Sequence, residues 1–258
     1  MFGDFKSADI IAYHLMLIDN LCRKDLQRGI IVSERDYVST FSTRVRDAIA
    51  PIFRCHSQTI RPQIENENGV DGIIVFKFND LIKVGLFEAK RPQFTHNNYA
   101  WDTIQKSKGI SHFTDQIERQ RKWKNAFAIW EMFINETKDG NLSPTLERYG
   151  SSCTWNDKAY SFSNKEKLYI NPWSTQKLKK LLNKSGVNLY SIIYDIIICK
   201  QGKVFTVNTS ENSVTVINPN DNEIQMEIPL PEGNEIDQRI TSFLEKNGLE
   251  SYNFINLT

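Results

Sequence analysis

Hydrophobic positions recur at helical spacing through the first fifty residues. Ile10, Ile11, His14, Leu15, Ile18, Leu21 and Cys22 share one face and predict a helix over 7–28, with Ser7 as cap and Gly29 as stop. Val38, Phe41, Val45, Ala48 and Ile49 form a second stripe behind the cap candidate Ser33, predicting a helix over about 34–50 closed by Pro51. The period then changes from helical to alternating. Residues 70–78 (VDGIIVFKF) and 81–90 (LIKVGLFEAK) flank Asn79-Asp80 and read as a hairpin. The first of these strands is almost continuously apolar, as a strand buried on both faces requires.

Residues 91–110 are polar, with a short helix expected near 99–107. A helix is expected from Ser111 to about Lys124, and the apolar run 126–134 (AFAIWEMFI) reads as a buried strand. The pattern weakens over 135–172, where turn residues dominate and short strands are expected near 153–162. A helix over 174–185 ends at Gly186. Runs 190–200 and 204–208 flank Gln201-Gly202 as a second hairpin, 214–217 and 224–228 extend a meander, and a last helix spans 235–247. The expected architecture is α/β, a mixed central β-sheet flanked by helices in one domain over 1–258. An N-terminal helix at 7–28 would precede a core over about 30–210, with a C-terminal α/β elaboration over about 211–258.

Composition narrows the class without naming an activity. The 258 residues carry 32 basic and 31 acidic side chains, a net charge of +1, with 40% hydrophobic and 24% charged residues. This mix excludes a disordered acidic tail, a collagen-like chain, a coiled coil and a uniformly basic nucleic-acid coat. The longest apolar stretches are interrupted or too short to cross ~30 Å of hydrocarbon. Asp4, Lys6 and Asp9 stand where a signal peptide would be apolar. Four cysteines (Cys22, Cys55, Cys153, Cys199) and four histidines (His14, His56, His96, His112) are scattered, without zinc spacing or a disulfide framework. Reduced thiols and a cytoplasmic location are expected.

The candidate chemistry lies on the first hairpin. With a two-residue loop at 79–80, Asp71 falls opposite Glu88, while Glu88 and Lys90 share a strand face. Opposed like charges repel across a sheet, and a divalent cation between the carboxylates would account for the arrangement. Oxygen donors without clustered His or Cys favour Mg²⁺ or Mn²⁺ over zinc. Lys90 would add a positive donor that orients an attacking water or steadies phosphate charge. Acid, acid, lysine and metal on one sheet face suit phosphodiester hydrolysis. Plainer alternatives stand beside this reading. Asp71 can bond the turn at Asn68-Gly69, and Glu88 with Lys90 can be a solvated charge pair.

Asp71 and the triplet Glu88-Ala89-Lys90 on neighbouring strands resemble the PD-(D/E)XK nuclease superfamily, the restriction endonuclease-like fold. The helix–hairpin–helix–strand order matches over about 33–134, with Val70 in place of the proline that commonly precedes the aspartate. The resemblance implies a restriction endonuclease-like sheet and a metal-dependent endonuclease acting on DNA, of restriction, defence or repair type. It implies metal ligation by Asp71, Glu88 and the Ala89 carbonyl. Glu34 matches the glutamate of the family's opening helix, and would bind a second metal or its water shell. Glu34 also continues the apolar stripe of its helix, although the macrodipole alone favours a glutamate there. Gln116 matches the glutamine that often follows the triplet, and would orient Glu88 or Lys90; a water-exposed helix edge is the alternative for Gln116 and Gln120.

Arg91, Lys106, Lys108, Arg119, Arg121, Lys122 and Lys124 cluster near these residues in sequence and suit a phosphate backbone. Trp101 stands in a polar loop where base stacking is open to it. The alternative activity is a nuclease-like nucleic-acid-binding subunit, active only with a partner protein. Cutting both strands would call for two sites, hence a homodimer.

Overall fold

A computed structural model of the chain describes residues 2–61, 68–95, 98–134, 150–217, 224–233 and 235–258. Helix α1 (Phe5–Gln27) starts where the Asp4 carboxylate accepts the Ser7 N–H at 2.9 Å, so Asp4 is the cap and Ser7 is already helical. Helix α2 (Glu34–Ile49) starts at Ser33, whose Oγ accepts the Asp36 N–H. After strand β1 (Cys55–Thr59) comes the hairpin of β2 (Gly72–Phe78) and β3 (Leu81–Lys90). Gly72 pairs with Phe87 and Phe78 with Leu81, as a two-residue loop demands, and Asn79 takes the left-handed φ of 55° that such a turn favours.

Two short hairpins follow, β4 (Gln93–Thr95) with β5 (Asn98–Ala100) and β6 (Ile104–Gln105) with β7 (Ile110–Ser111). The stretch near 99–107 therefore forms strands in place of the expected helix. Helix α3 (His112–Gln120) ends before Lys124 and tightens into a 3-10 turn at Arg121–Trp123. Strand β8 (Ala128–Phe133) is buried throughout, as its apolar run predicts. The order then runs β9 (Ser152–Trp155), α4 (Asn156–Lys165), α5 (Thr175–Ser185), β10 (Val187–Asn188), α6 (Leu189–Ile197) and β11 (Phe205–Thr206). It closes with the hairpin β12 (Ser213–Ile217) and β13 (Ile224–Pro229), helix α7 (Gln238–Asn247) and strand β14 (Ser251–Asn256). The turn-rich reading of 135–149 and the placement of His96 lie outside the described residues.

The expected hairpin at 190–200 is instead helix α6. Its isoleucines favour strands intrinsically, but Leu189, Ile192, Ile193, Ile196 and Ile197 also fall at helical spacing, and all five are buried. The Asn188 side chain caps the helix by accepting the Ser191 N–H, and burial against α1 outweighs propensity. Similarly, only Ser152–Trp155 of the stretch 153–162 and its surroundings is strand, and the remainder is α4.

Eight strands form a mixed central sheet among the described residues, in the order β1-β14-β2-β3-β8-β9-β10, with β11 pairing the start of β3. β14 runs parallel to β2 and β8 parallel to β3, and the remaining pairs are antiparallel. The supposed C-terminal elaboration thus supplies an inner strand. Helices flank the sheet on both faces. Ile74, Phe76 and Phe87 pack under α1, α2 and α6, whereas Ile73, Val75 and Leu86 point to the opposite core. A third cluster joins Phe133 to α3, α4 and α5. Trp101 belongs to that cluster at 2% exposure, edge-on to Phe133 and bonded to Thr175, so base stacking is closed to it. Cys22, Cys55 and Cys153 are buried and free, and burial pushes the first two thiols up to about 12. No described helix is long and apolar enough to cross a membrane.

Candidate active site

The candidate residues gather at the end of β3. Asp71 immediately precedes β2, donating its N–H to Phe87 O at 2.8 Å and accepting the Ala89 N–H at Oδ2 at 2.7 Å. The chain reaches it through Gly69, whose φ of +69° favours glycine; a Cβ there would lie 2.7 Å from Gln116 O. That close approach seats α3 over the strand entry, and the Gln120 side chain donates to Gly69 O.

Glu88 follows on β3 at 1% exposure. Its Oε1 receives Lys90 Nζ at 2.6 Å and Gln116 Nε2 at 2.6 Å. Its Oε2 is buried with no donor other than the adjoining Asp71 carboxyl, and Gln116 Oε1 has none among the described residues. Lys90 lies 5.6 Å from the Phe113 ring centroid, which packs its ammonium on an aromatic face. Glu34 reaches the same end of β3 from α2, its Oε1 accepting the Arg91 N–H at 2.6 Å. All five candidate residues therefore come together. Asp71 and Glu88 stand next to each other just past the last rung of the ladder, as the register predicts.

Electrostatics make this a costly arrangement. Burial, then the neighbouring Glu88, holds the Asp71 carboxyl well above the usual carboxylate range. Burial also raises Glu88, with Lys90 pulling the other way. Burial would lower the Lys90 pKa, but Glu88, Glu34 and Asp71 outweigh it and raise it, so the ammonium keeps its proton. A cleft of about 560 Å³ opens beside Asp71, lined also by Ser33, Glu34, Arg35, Arg91 and Glu250.

The basic residues are spread more widely. Arg91 lines the cleft, with Nη1 donating to Val32 O. Lys106 and Lys108 are exposed in the β6–β7 turn, tied to α3 through Gln105, Asp115 and Arg119. Arg121 stacks 3.6 Å over the Tyr160 ring and Lys122 lies 5.2 Å from Trp123.

Two acidic residues escaped the sequence reading. Glu131 pairs with Glu88 across the β3–β8 ladder, wholly buried, and accepts from Asn156 and Gln120. A lone acid inside the apolar run 126–134 was the available signal. Glu250 gives no local signal: only the sheet topology brings it beside Asp71, whose carbonyl accepts the Glu250 N–H.

Burial pushes the Glu131 carboxyl up to about 8. A raised acid contributes stability below its unfolded value, and that stability is lost as pH rises through the folded one. Between about 4.3 and about 8 the loss should approach about 1.4 kcal/mol per pH unit. Glu131→Gln carries no charge at any pH, so its melting temperature should fall less than the wild type's across this window. Parallel melting curves from pH 5 to 9 would refute the assignment.

Asp71→Asn tests the facing carboxylates. The amide keeps the shape, removes the like charge and can donate toward Glu88. In chelator, at a pH high enough to ionise Asp71, the variant should melt higher, by ~0.2–1 kcal/mol of relieved repulsion or up to roughly 2–4 °C. The gain should vanish in acid, where wild-type Asp71 is neutral. Mg²⁺ should stabilise the wild type more than the variant. A lower melting point in chelator, with equal stabilisation by metal, would show that the pair does not flank an ion.

Comparison with known proteins adds no relative: no family model, no curated protein and no solved structure matches this chain. The fold by itself defines the α/β class, a mixed central sheet flanked by helices.

Proposed function

We propose that this chain is a metal-dependent nuclease of the PD-(D/E)XK type, hydrolysing phosphodiester bonds of DNA as an endonuclease on a restriction endonuclease-like sheet. The observation that carries the reading is Glu88. A buried carboxylate has one oxygen satisfied by Lys90 and Gln116, and the other faces only the carboxyl of Asp71. Such an oxygen costs free energy unless something binds it.

The donor set suits a hard cation. Among the described residues, no group of three or more His, Cys, Asp or Glu side chains is placed to hold a metal ion, so a cation would rest on the Asp71–Glu88 pair. Two carboxylates with water and phosphate completing the shell is the ligation Mg²⁺ prefers. Asp71 and Glu88 would hold Mg²⁺ or Mn²⁺, with the Ala89 carbonyl and Glu34 in the supporting places the family resemblance implies. When bound, the cation supplies Lewis-acid stabilisation to the phosphate oxygens.

The chain's own groups do the remaining work. Lys90, held protonated, supplies positive charge where the phosphate becomes more negative and a donor that positions the attacking water. Gln116 fixes Glu88 through Oε1 and so leaves Oε2 for the ligand. Glu34, clamped to the Arg91 N–H, fixes the end of β3 against α2. The partner-dependent reading has one observation in its favour. Glu88 and Lys90 are only 1% and 8% exposed, so a partner that opens the cleft at Asp71 would aid access.

The test is cleavage of closed circular DNA, linear DNA and RNA with Mg²⁺ or Mn²⁺. Nicking or linearisation of the circle supports an endonuclease acting on DNA. DNA binding without cleavage, by the isolated protein in either metal, favours the partner-dependent subunit.

A further inference from the structure

We infer that Arg35 contacts a substrate phosphate in the cleft and is positioned there by Glu250; this rests on the nuclease reading above. The parallel register sets Ser251 beside Gly72, and the Glu250 N–H donates to Asp71 O at 2.8 Å. The backbone of Glu250 is thereby pinned next to the candidate metal ligand. Its carboxylate accepts Arg35 Nε at 2.9 Å, with side-chain exposures of 15% for Glu250 and 46% for Arg35.

This grip uses one edge of the guanidinium. The two terminal nitrogens of Arg35 make no hydrogen bond among the described residues. A guanidinium held by Nε presents its remaining N–H groups as a fork, which matches two oxygens of a phosphodiester. Glu34 and Arg35 are consecutive in the first turn of α2, and both line the cleft with Asp71. The glutamate is bound to the end of β3 and the arginine to the start of β14. Arg91, the other arginine of the cleft, spends Nη1 on Val32 O. Three carboxylates face this cleft, so a polyanion needs a cationic contact at its mouth, and Arg35 is placed to provide it.

The test is binding of a duplex oligonucleotide in chelator across a salt series, with turnover measured in Mn²⁺. Arg35→Gln should bind more weakly, and its slope of log affinity against log salt should shrink by about 0.9, the value of one phosphate contact. Arg35→Lys should restore the slope but only part of the turnover, because ammonium lacks the fork. Glu250→Ala should keep the slope and lower turnover. Added to Arg35→Gln it should cost nothing further, since Glu250 acts through the arginine. A purely structural ion pair would lower melting temperatures and leave the slope of Arg35→Gln unchanged, which overturns the inference while wild-type cleavage stands. If the wild type neither binds nor cleaves DNA, the nuclease reading falls and takes this inference with it.

Discussion

Lys90→Ala should lower turnover by ~10²-fold or more while leaving DNA affinity nearly unchanged. Lys90 is 8% exposed, its ammonium bonded to Glu88 at 2.6 Å and surrounded by Glu34 and Asp71, so it would add little to an outer surface that attracts DNA. Its charge counts when the phosphate gains charge in the transition state. Alanine also deprives Glu88 of its cation, and burial then drives that carboxyl further toward the neutral form. A neutral Glu88 is a poorer cation ligand, so the variant should require more Mn²⁺ for half-maximal activity. The measurement is single-turnover cleavage with a metal titration, at equal folded concentration. Wild-type turnover in the variant would remove Lys90 from the chemistry.

Metal removal should have the largest effect of all. Excess chelator should abolish cleavage and leave DNA binding in place, because the proposed phosphate contacts are Arg35, Arg91 and the basic residues of the α3 region and not the carboxylates. Mg²⁺ or Mn²⁺ should restore activity, and zinc should not, since Asp71 and Glu88 offer oxygen alone. Chelator should also lower the melting temperature of a metal-loaded sample, as a ligand bound only by the folded state requires. Full activity in excess chelator, or restoration by zinc alone, would sink the assignment of Asp71 and Glu88 as ligands. A wild type that binds DNA but stays inert in every metal would instead point to the partner-dependent reading.

The candidate site was legible where local rules are strict. A two-residue hairpin loop fixes register, and register alone places Asp71 against Glu88 with Lys90 on the same face. Ser33 is a strong cap, so the start of α2 and the position of Glu34 follow from four residues of sequence. Gln116 was readable as a polar residue in an apolar helical stripe, and it proves to hold Glu88. Glu131 gives an equally local signal, an isolated charge in a buried strand.

The sequence by itself determined the elements whose pattern has one period and one partner: the first two helices, the β2–β3 hairpin, the buried strand β8, and with them the acid–acid–lysine constellation. Tertiary structure decided whatever depends on distant neighbours. The run at 190–200 satisfies both periods, and burial against α1 makes it helix where β-branched propensity favours strand. Trp101 stands in a polar stretch yet packs on Phe133, because its surroundings come from β8 and α5. The last strand enters between β1 and β2, which no local signal encodes, and carries Glu250 to Asp71. Local spacing fixes contacts between residues a few positions or one turn apart. Contacts across 179 residues, such as Asp71 with Glu250, arise only when the whole sheet chooses its strand order.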